Sequence, residues 1–442
     1  MNGRRMIVAF YVLVLPFAMA NRSAAQTSES VYAITGAKIF ILAGDPIDNG
    51  TLIIRDGKIA AVGVGIPVPA GAHVIDAKGL QVYPGLFDPV TQMGLSEIAA
   101  VSATVDDSEL GSFNPNVVAS EAILPSSEHI LVTRAAGITE VLAAPASGGF
   151  DARSKPEILG GQASAIHLAG WTISDMLIKK SAAMVVGWPQ MQTRPADSPK
   201  GAKSFADAKQ EYDKQVQELS DWIERARHYA LALNRGSSAD YQPDLKLEAL
   251  VPVTRGELPL LIFASREREI RAAVNFCDAR KLKMILAGGA ESYKVKDLLR
   301  SKNIPVILLP TLTEPSNEDD PYDRLLTQPS ELAAAGVKFA FGSFDNSFSR
   351  RLGQQAANAV SHGLPYDVAL KAVTEYPAEI FGLGDQLGTL ESGKVANVIV
   401  TDGDPLELTT NVKFLFIKGQ LTSTDNKQKS LYERYLNRPK AR

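Results

Sequence analysis

The 442-residue chain is poor in the residues that build redox and metal chemistry. Its single cysteine, Cys277, excludes an intramolecular disulfide and any thiolate cage for zinc or iron–sulfur clusters. Five histidines leave little material for an imidazole-rich metal site. Neither sign of charge is in excess: 46 basic and 49 acidic residues give −3, so no nucleic-acid surface is implied. No G-x-G-x-x-G opens a helix after a strand, which argues against a dinucleotide fold, and no G-x-S-x-G elbow is present. What remains is ordinary: 45% hydrophobic and 21% charged residues exclude disorder, collagen-like repeats and a coiled coil for the bulk of the chain. This length implies two or more domains, or one large barrel with an appendage.

The N-terminus reads as a targeting segment. Arg4 and Arg5 precede the apolar run MIVAFYVLVLPFAMA, and Ser23-Ala24-Ala25 offers small residues at a cleavage position before Gln26. The run is shorter than the ~20 residues a membrane-spanning helix needs, and no cysteine near the cleavage point offers a lipid anchor. The expectation is a signal peptide over residues 1–25. The mature protein would be periplasmic and mildly acidic, with no membrane span left after signal removal.

Both ends of the remaining chain are β-rich. Residues 31–83 hold short strand-like runs separated by turns, with Asp56-Gly57 between LIIR and KIAAV reading as a tight hairpin. VANVIVTDG (395–403) and VKFLFIKGQL (412–421) repeat that pattern near the other end. Between them, apolar runs alternate with helical stretches: ITEVLAA (138–144), ASAIHLAG (163–170), LPLLIFA (258–264), LKMILAGG (282–289), IPVILLP (304–310) and VKFAFGS (337–343). Such runs predict buried parallel strands joined by right-handed crossovers. A closed (β/α)8 TIM-like barrel is favoured over an open doubly wound sheet. The expected division is a small β-sandwich built from residues 26–83 and 385–425, a barrel over 84–384, and a C-terminal tail over 426–442. Residues 203–235 form a long charged amphipathic helix with Phe205, Tyr212, Val216, Leu219 and Ile223 at helical spacing, an insertion able to cover a barrel mouth. The acidic run Glu318-Asp319-Asp320 reads as a solvated turn.

PGLFDPVTQMGL (84–95), following the small β-domain, resembles the first barrel strand of the metal-dependent amidohydrolase superfamily, P-G-[LF]-x-D-x-H-x-H. Further segments are similar to the imidazolonepropionase-like branch: 135–149 to its second strand, 256–295 to its strand-five to strand-six unit, 336–352 to its last strand, and 372–407 to the return into the β-domain. The resemblance implies a hydrolase of non-peptide C–N bonds. In the family, histidines of strands one, five and six and an aspartate of strand eight hold a divalent metal that lowers the pKa of water from 15.7 to about 7. Many members add a carbamylated lysine on strand four.

Mapped onto that pattern, the strand-one pair falls on Val90 and Gln92, and the strand-five histidine on Phe263. Strand six reads LAGGAE without histidine, and AAMVVG (182–187), the candidate strand four, has no lysine. Valine has no lone pair, and a glutamine amide is a weak neutral ligand unsuited to zinc. Asp345 in GSFDN matches the strand-eight aspartate and is the candidate catalytic residue; Gln92, Phe263 and Glu291 are candidate substrate-binding residues, and no metal ligand is assigned. Glu291 with Asp345 would make a metal-free carboxylate pair.

The histidines do not rebuild the site: His73 lies in the small β-domain, His129 and His228 on helices, His362 near a helix end, and only His167 on a barrel strand. Cys277 reads as a buried helical thiol, Ser147 as a loop serine, and the Gly148-Gly149 and Gly160-Gly161 pairs as turns.

The leading expectation is a degenerate amidohydrolase-family protein without a cofactor. It would bind a small molecule or form a homo-oligomer or a complex with an active homologue. The alternative is an active hydrolase acting on a small amide, lactam or N-acyl amino acid through an altered site, with a divalent metal such as zinc.

Overall fold

The structure, a computed structural model, describes residues 30–145, 157–198, 200–234, 243–315, 317 and 319–439. The expected leader over residues 1–25, Ser147, the Gly148-Gly149 pair and Glu318 lie outside them. Among the described residues no helix is long and apolar enough to cross a membrane.

The chain opens with β1 (Tyr32–Ile39), β2 (Ile47–Arg55), β3 (Lys58–Gly63), β4 (His73–Asp76) and β5 (Gln81–Pro84). Asp56 and Gly57 join β2 to β3 with φ of +52° and +76°, the two left-handed residues that a tight hairpin matched to strand twist requires. Eight barrel strands follow: β6 (Leu86–Thr91), β7 (Ile138–Ala143), β8 (Gly161–His167), β9 (Leu177–Gly187), β10 (Leu260–Ala264), β11 (Met284–Gly288), β12 (Val306–Leu308) and β13 (Phe339–Phe341). The chain then returns through β14 (Val398–Thr401), β15 (Val412–Ile417) and β16 (Gln420–Thr422), which extend the first sheet in the order β16-β15-β14-β5-β1-β2-β3, with β4 beside β1. Both chain ends thus meet in one hydrogen-bonded sheet around Ile34, Ile54, Val398 and Phe416. Within the C-terminal tail, Lys427–Leu436 is a helix with no buried residue.

The barrel strands pair in sequence order, β6 to β13. One expectation is corrected here. β8, the ASAIHLAG strand, runs antiparallel to both β7 and β9. The link 168–176 contains only the short helix Ile173–Met176, less than the dozen or more residues a parallel crossover needs, so the chain turns back as a hairpin. The other neighbours are parallel. Each strand is buried on both faces with a period of two: Leu261 and Phe263, Ile285 and Ala287, and Ala163 and Ala165 face the barrel interior. Leu260, Ile262 and Leu286 face the surrounding helices. Gly85 starts β6 because any Cβ there would lie 2.7 Å from Thr139 Cβ on β7.

The barrel is nearly closed between β13 and β6. Ser343 N donates to Asp88 Oδ1 (3.0 Å), Phe344 N to Val90 O (2.9 Å), and Thr91 Oγ1 to Asp345 O (2.9 Å). The long helix spans Phe205–Asn234 and packs Leu219 and Ile223 inward. Phe205, expected on that face, is 62% exposed at the first residue of the helix, whereas Ala208 in the same turn is buried. It rests on the outer layer, with Arg227 donating to Arg280 O and Trp222 stacked on Phe113 at 5.6 Å.

Candidate functional site

The C-terminal ends of parallel barrel strands form the face on which barrel enzymes build their sites. Here that end is apolar. Val90 of β6 is buried, as are Phe263 of β10 and Phe344 after β13, and the two rings meet edge to face at 6.2 Å and 82°. Phe344 has φ of +54°, the left-handed region that costs a bulky residue about 1–2 kcal/mol. The extra residue in GSFDN explains the outcome. Phe344 takes the inward place, and the Asp345 carboxylate turns to its own loop.

Asp345 Oδ1 accepts from Ser347 N (2.6 Å) and Phe348 N (2.8 Å), bracing the turn that leads into Ser349–Arg351. Gln92 is partly buried one residue beyond β6, next to Thr91, whose hydroxyl ties this strand end to Asp345 O. Glu291 sits apart from this group. Its carboxylate accepts from Glu267 N (2.6 Å), Lys294 Nζ (2.8 Å) and Asn317 Nδ2 (3.1 Å), and it lines an open cleft with Arg266 and Arg271. Burial raises its pKa, but the Glu267 N–H and the Lys294 and Asn317 contacts outweigh that and hold it below the ordinary value. Val90, Phe263, Phe344 and the Asp345 backbone are therefore gathered at the mouth. The carboxylates of Asp345 and Glu291 are each engaged by backbone N–H donors, with no hydrogen bond between them among the described residues.

The acid that does sit inside this end is Asp88, the aspartate of PGLFD, which the sequence analysis quoted but gave no role. It is fully buried and accepts from Ser343 N and from Ser349 Oγ (2.6 Å). Burial pushes its pKa up to about 6, against the lowering effect of the Ser343 and Ser349 contacts. Its position across the β6–β13 seam makes it a clasp. The signal was available in the motif, but its partners lie 255 and 261 residues away.

His167 is the last residue of β8 and pairs with Glu140 near the start of β7, so it lies toward the opposite face from Phe263 and Asp345. Asn397 Nδ2 donates to His167 Nδ1 (3.0 Å) and to Glu140 Oε1, tying the barrel to the first sheet. Burial lowers the His167 pKa to about 3, with Lys418 adding to the shift. Burial raises Glu140 to about 8, opposed by the bonds from Asn397 and Thr139. Burial likewise pushes the Cys277 thiol up to about 12, leaving it protonated.

A catalytic divalent metal does not fit the residues at the mouth. Val90 and Phe263 have no donor atom, Gln92 offers a neutral amide, and the Asp345 carboxylate is bound to two N–H groups. Among the described residues no three His, Cys, Asp or Glu side chains come together in a way that could hold a metal ion.

Against known proteins, residues 326–424 match the Amidohydrolase family. The chain is 25% identical over 382 residues to amidohydrolase tasK of Hapsidospora irregularis, covering 81% of this chain and 38% of that protein. Over 72 residues it is 40% identical to the D-hydantoinase of Geobacillus stearothermophilus, covering 16% of this chain and 15% of that one. The chain thus spans well under half the length of either relative. A solved amidohydrolase from Thermotoga maritima MSB8 superposes with a TM-score of 0.75 at 24% identity, over 89% of this chain and 99% of that one. The chain is therefore similar to the Amidohydrolase family in sequence over residues 326–424, and it shares the fold of the Thermotoga maritima structure over about nine-tenths of its length.

Proposed function

We propose that this protein is a degenerate amidohydrolase, a small-molecule-binding or partner subunit whose own barrel mouth carries out no metal-dependent hydrolysis. One observation carries the reading: Val90 and Phe263 stand where a hydrolase of this family would place imidazoles around a cation, and the Phe344 ring packs edge to face on Phe263. Restoring a hydrolytic site would need new donor groups and also the removal of two buried rings. The similar segments 135–149, 256–295, 336–352 and 372–407 support placement on the imidazolonepropionase-like branch. The leader-like residues 1–25 support export to the periplasm.

The test uses the purified full chain. Elemental analysis is expected to find no stoichiometric zinc, manganese or iron. A panel of N-acyl amino acids, lactams and hydantoins is expected to show no turnover above background. Stoichiometric metal together with turnover that Asp345→Asn abolishes would replace this reading with that of an active C–N hydrolase using an altered site.

A further inference from the structure

A cavity of about 800 Å³ opens at the other side of the barrel, between the helix Glu128–Arg134, the link after β8 and the β15–β16 hairpin. Because His167 pairs with Glu140 near the start of β7, the link after β8 leaves from the N-terminal face, away from Phe263 and Asp345. The volume lies within the range of small-ligand sites.

Two features of its lining remain unexplained by folding. Arg134 is half-buried there, yet its Nε is buried without a hydrogen-bond partner, and among the described residues its guanidinium makes one hydrogen bond, a long contact of 3.5 Å from Nη1 to Leu168 O. Among the described residues no carboxylate pairs with this guanidinium. Burial pulls its pKa below the usual arginine value, the mark of a cation held with too little solvation. The acid nearest in the lining, Asp175, is already engaged: its Oδ2 accepts from Trp171 N (3.2 Å) and Thr172 N (2.9 Å). The second feature is Trp171, 94% exposed on the rim, although an indole gains little by standing in water. The lining also contains the apolar Ile130, Leu168, Met176 and Leu421, beside polar residues such as Ser126 and Gln420. Lys418 adds a further positive charge, its Nζ donating to Asp175 O.

We propose that this cavity binds a small carboxylic acid with an aromatic or branched apolar body, the carboxylate on the Arg134 guanidinium and the body between the apolar wall and Trp171. The planar guanidinium fork is matched by the two oxygens of a carboxylate. An inorganic anion would satisfy the cation but leave the wall and the indole unused. The site stands independently of whether the barrel mouth catalyses anything.

The probes are 4-phenylbutyrate, 4-phenylbutyramide and acetate, titrated into the full chain by calorimetry and by tryptophan fluorescence. Phenylbutyrate is expected to bind saturably at one site, about tenfold or more tighter than the amide, which loses the charge-assisted bond, and than acetate, which lacks the apolar body. Arg134→Met is expected to lose about tenfold or more, and Trp171→Ala to weaken binding with an unchanged melting temperature. If Arg134→Met does not fold, Arg134→Lys, which keeps the charge and loses the fork, takes its place. Equal binding of acid and amide, or of acetate and phenylbutyrate, would overturn the proposal. So would the absence of saturation, or full affinity in a folded Arg134 variant.

Discussion

The packed barrel mouth makes a prediction that separates burial from backbone conformation. Phe344 is 7% exposed and touches Phe263, so Phe344→Ala should cost about 3–5 kcal/mol, the usual loss for a large buried ring. Its φ of +54° makes Phe344→Gly the informative comparison. At a buried site with ordinary φ, glycine would lie roughly 1.5 kcal/mol below alanine: about 0.8 for the lost methyl and the rest for chain entropy. Here glycine alone escapes a left-handed penalty of about 1–2 kcal/mol. The two variants should therefore unfold at nearly the same urea midpoint. Phe263→Ala should cost a similar amount, and the double variant about 0.5–1.5 kcal/mol less than the sum, because the edge-to-face pair is lost only once. The readout is the urea midpoint followed by tryptophan fluorescence. A glycine variant lying 1.5 kcal/mol below alanine would refute the left-handed argument, and strict additivity would refute the ring pair.

Three further outcomes are expected. Asp88→Ala leaves the Ser343 N–H and Ser349 O–H without their buried acceptor and should cost about 3 kcal/mol in thermal or urea unfolding, whereas Ser349→Ala, which removes one donor, should cost about 1 kcal/mol. Glu140 has a folded pKa raised to about 8, so above its ordinary value the unfolded chain releases a proton the folded one keeps, and stability falls as pH rises through 8. Between pH 7 and 8 the slope should reach about 1 kcal/mol per unit. His167, lowered to about 3, adds only a small opposing slope of about 0.3 kcal/mol per unit at pH 7 that fades by pH 8. Glu140→Gln should reduce the fall by about 1 kcal/mol per unit; an unchanged slope would refute the assignment. Gly85→Ala should destabilise strongly because its Cβ meets Thr139, and Gly85→Ala with Thr139→Ala, which removes the nearest atoms Oγ1 and Cγ2, should recover part of the loss, as melting temperatures would record.

Local chemistry was legible in the linear chain. Asp56-Gly57 announced a hairpin because few residues accept two left-handed positions in succession. The apolar runs announced barrel strands because a strand covered on both faces needs apolar groups at every position. The absence of imidazoles at Val90, Gln92 and Phe263 needed no coordinates. What depended on three dimensions was direction and partnership. The reversed course of β8 followed from the length of one link, although its composition matches its parallel neighbours. The choice between Phe344 and Asp345 for the barrel interior, the use of Asp88 as a clasp, and the engagement of Glu291 by Glu267 N–H were decided by groups far off in the chain. A residue type states which bonds are possible, but only closure of the barrel brings residues some 250 positions apart within hydrogen-bonding distance.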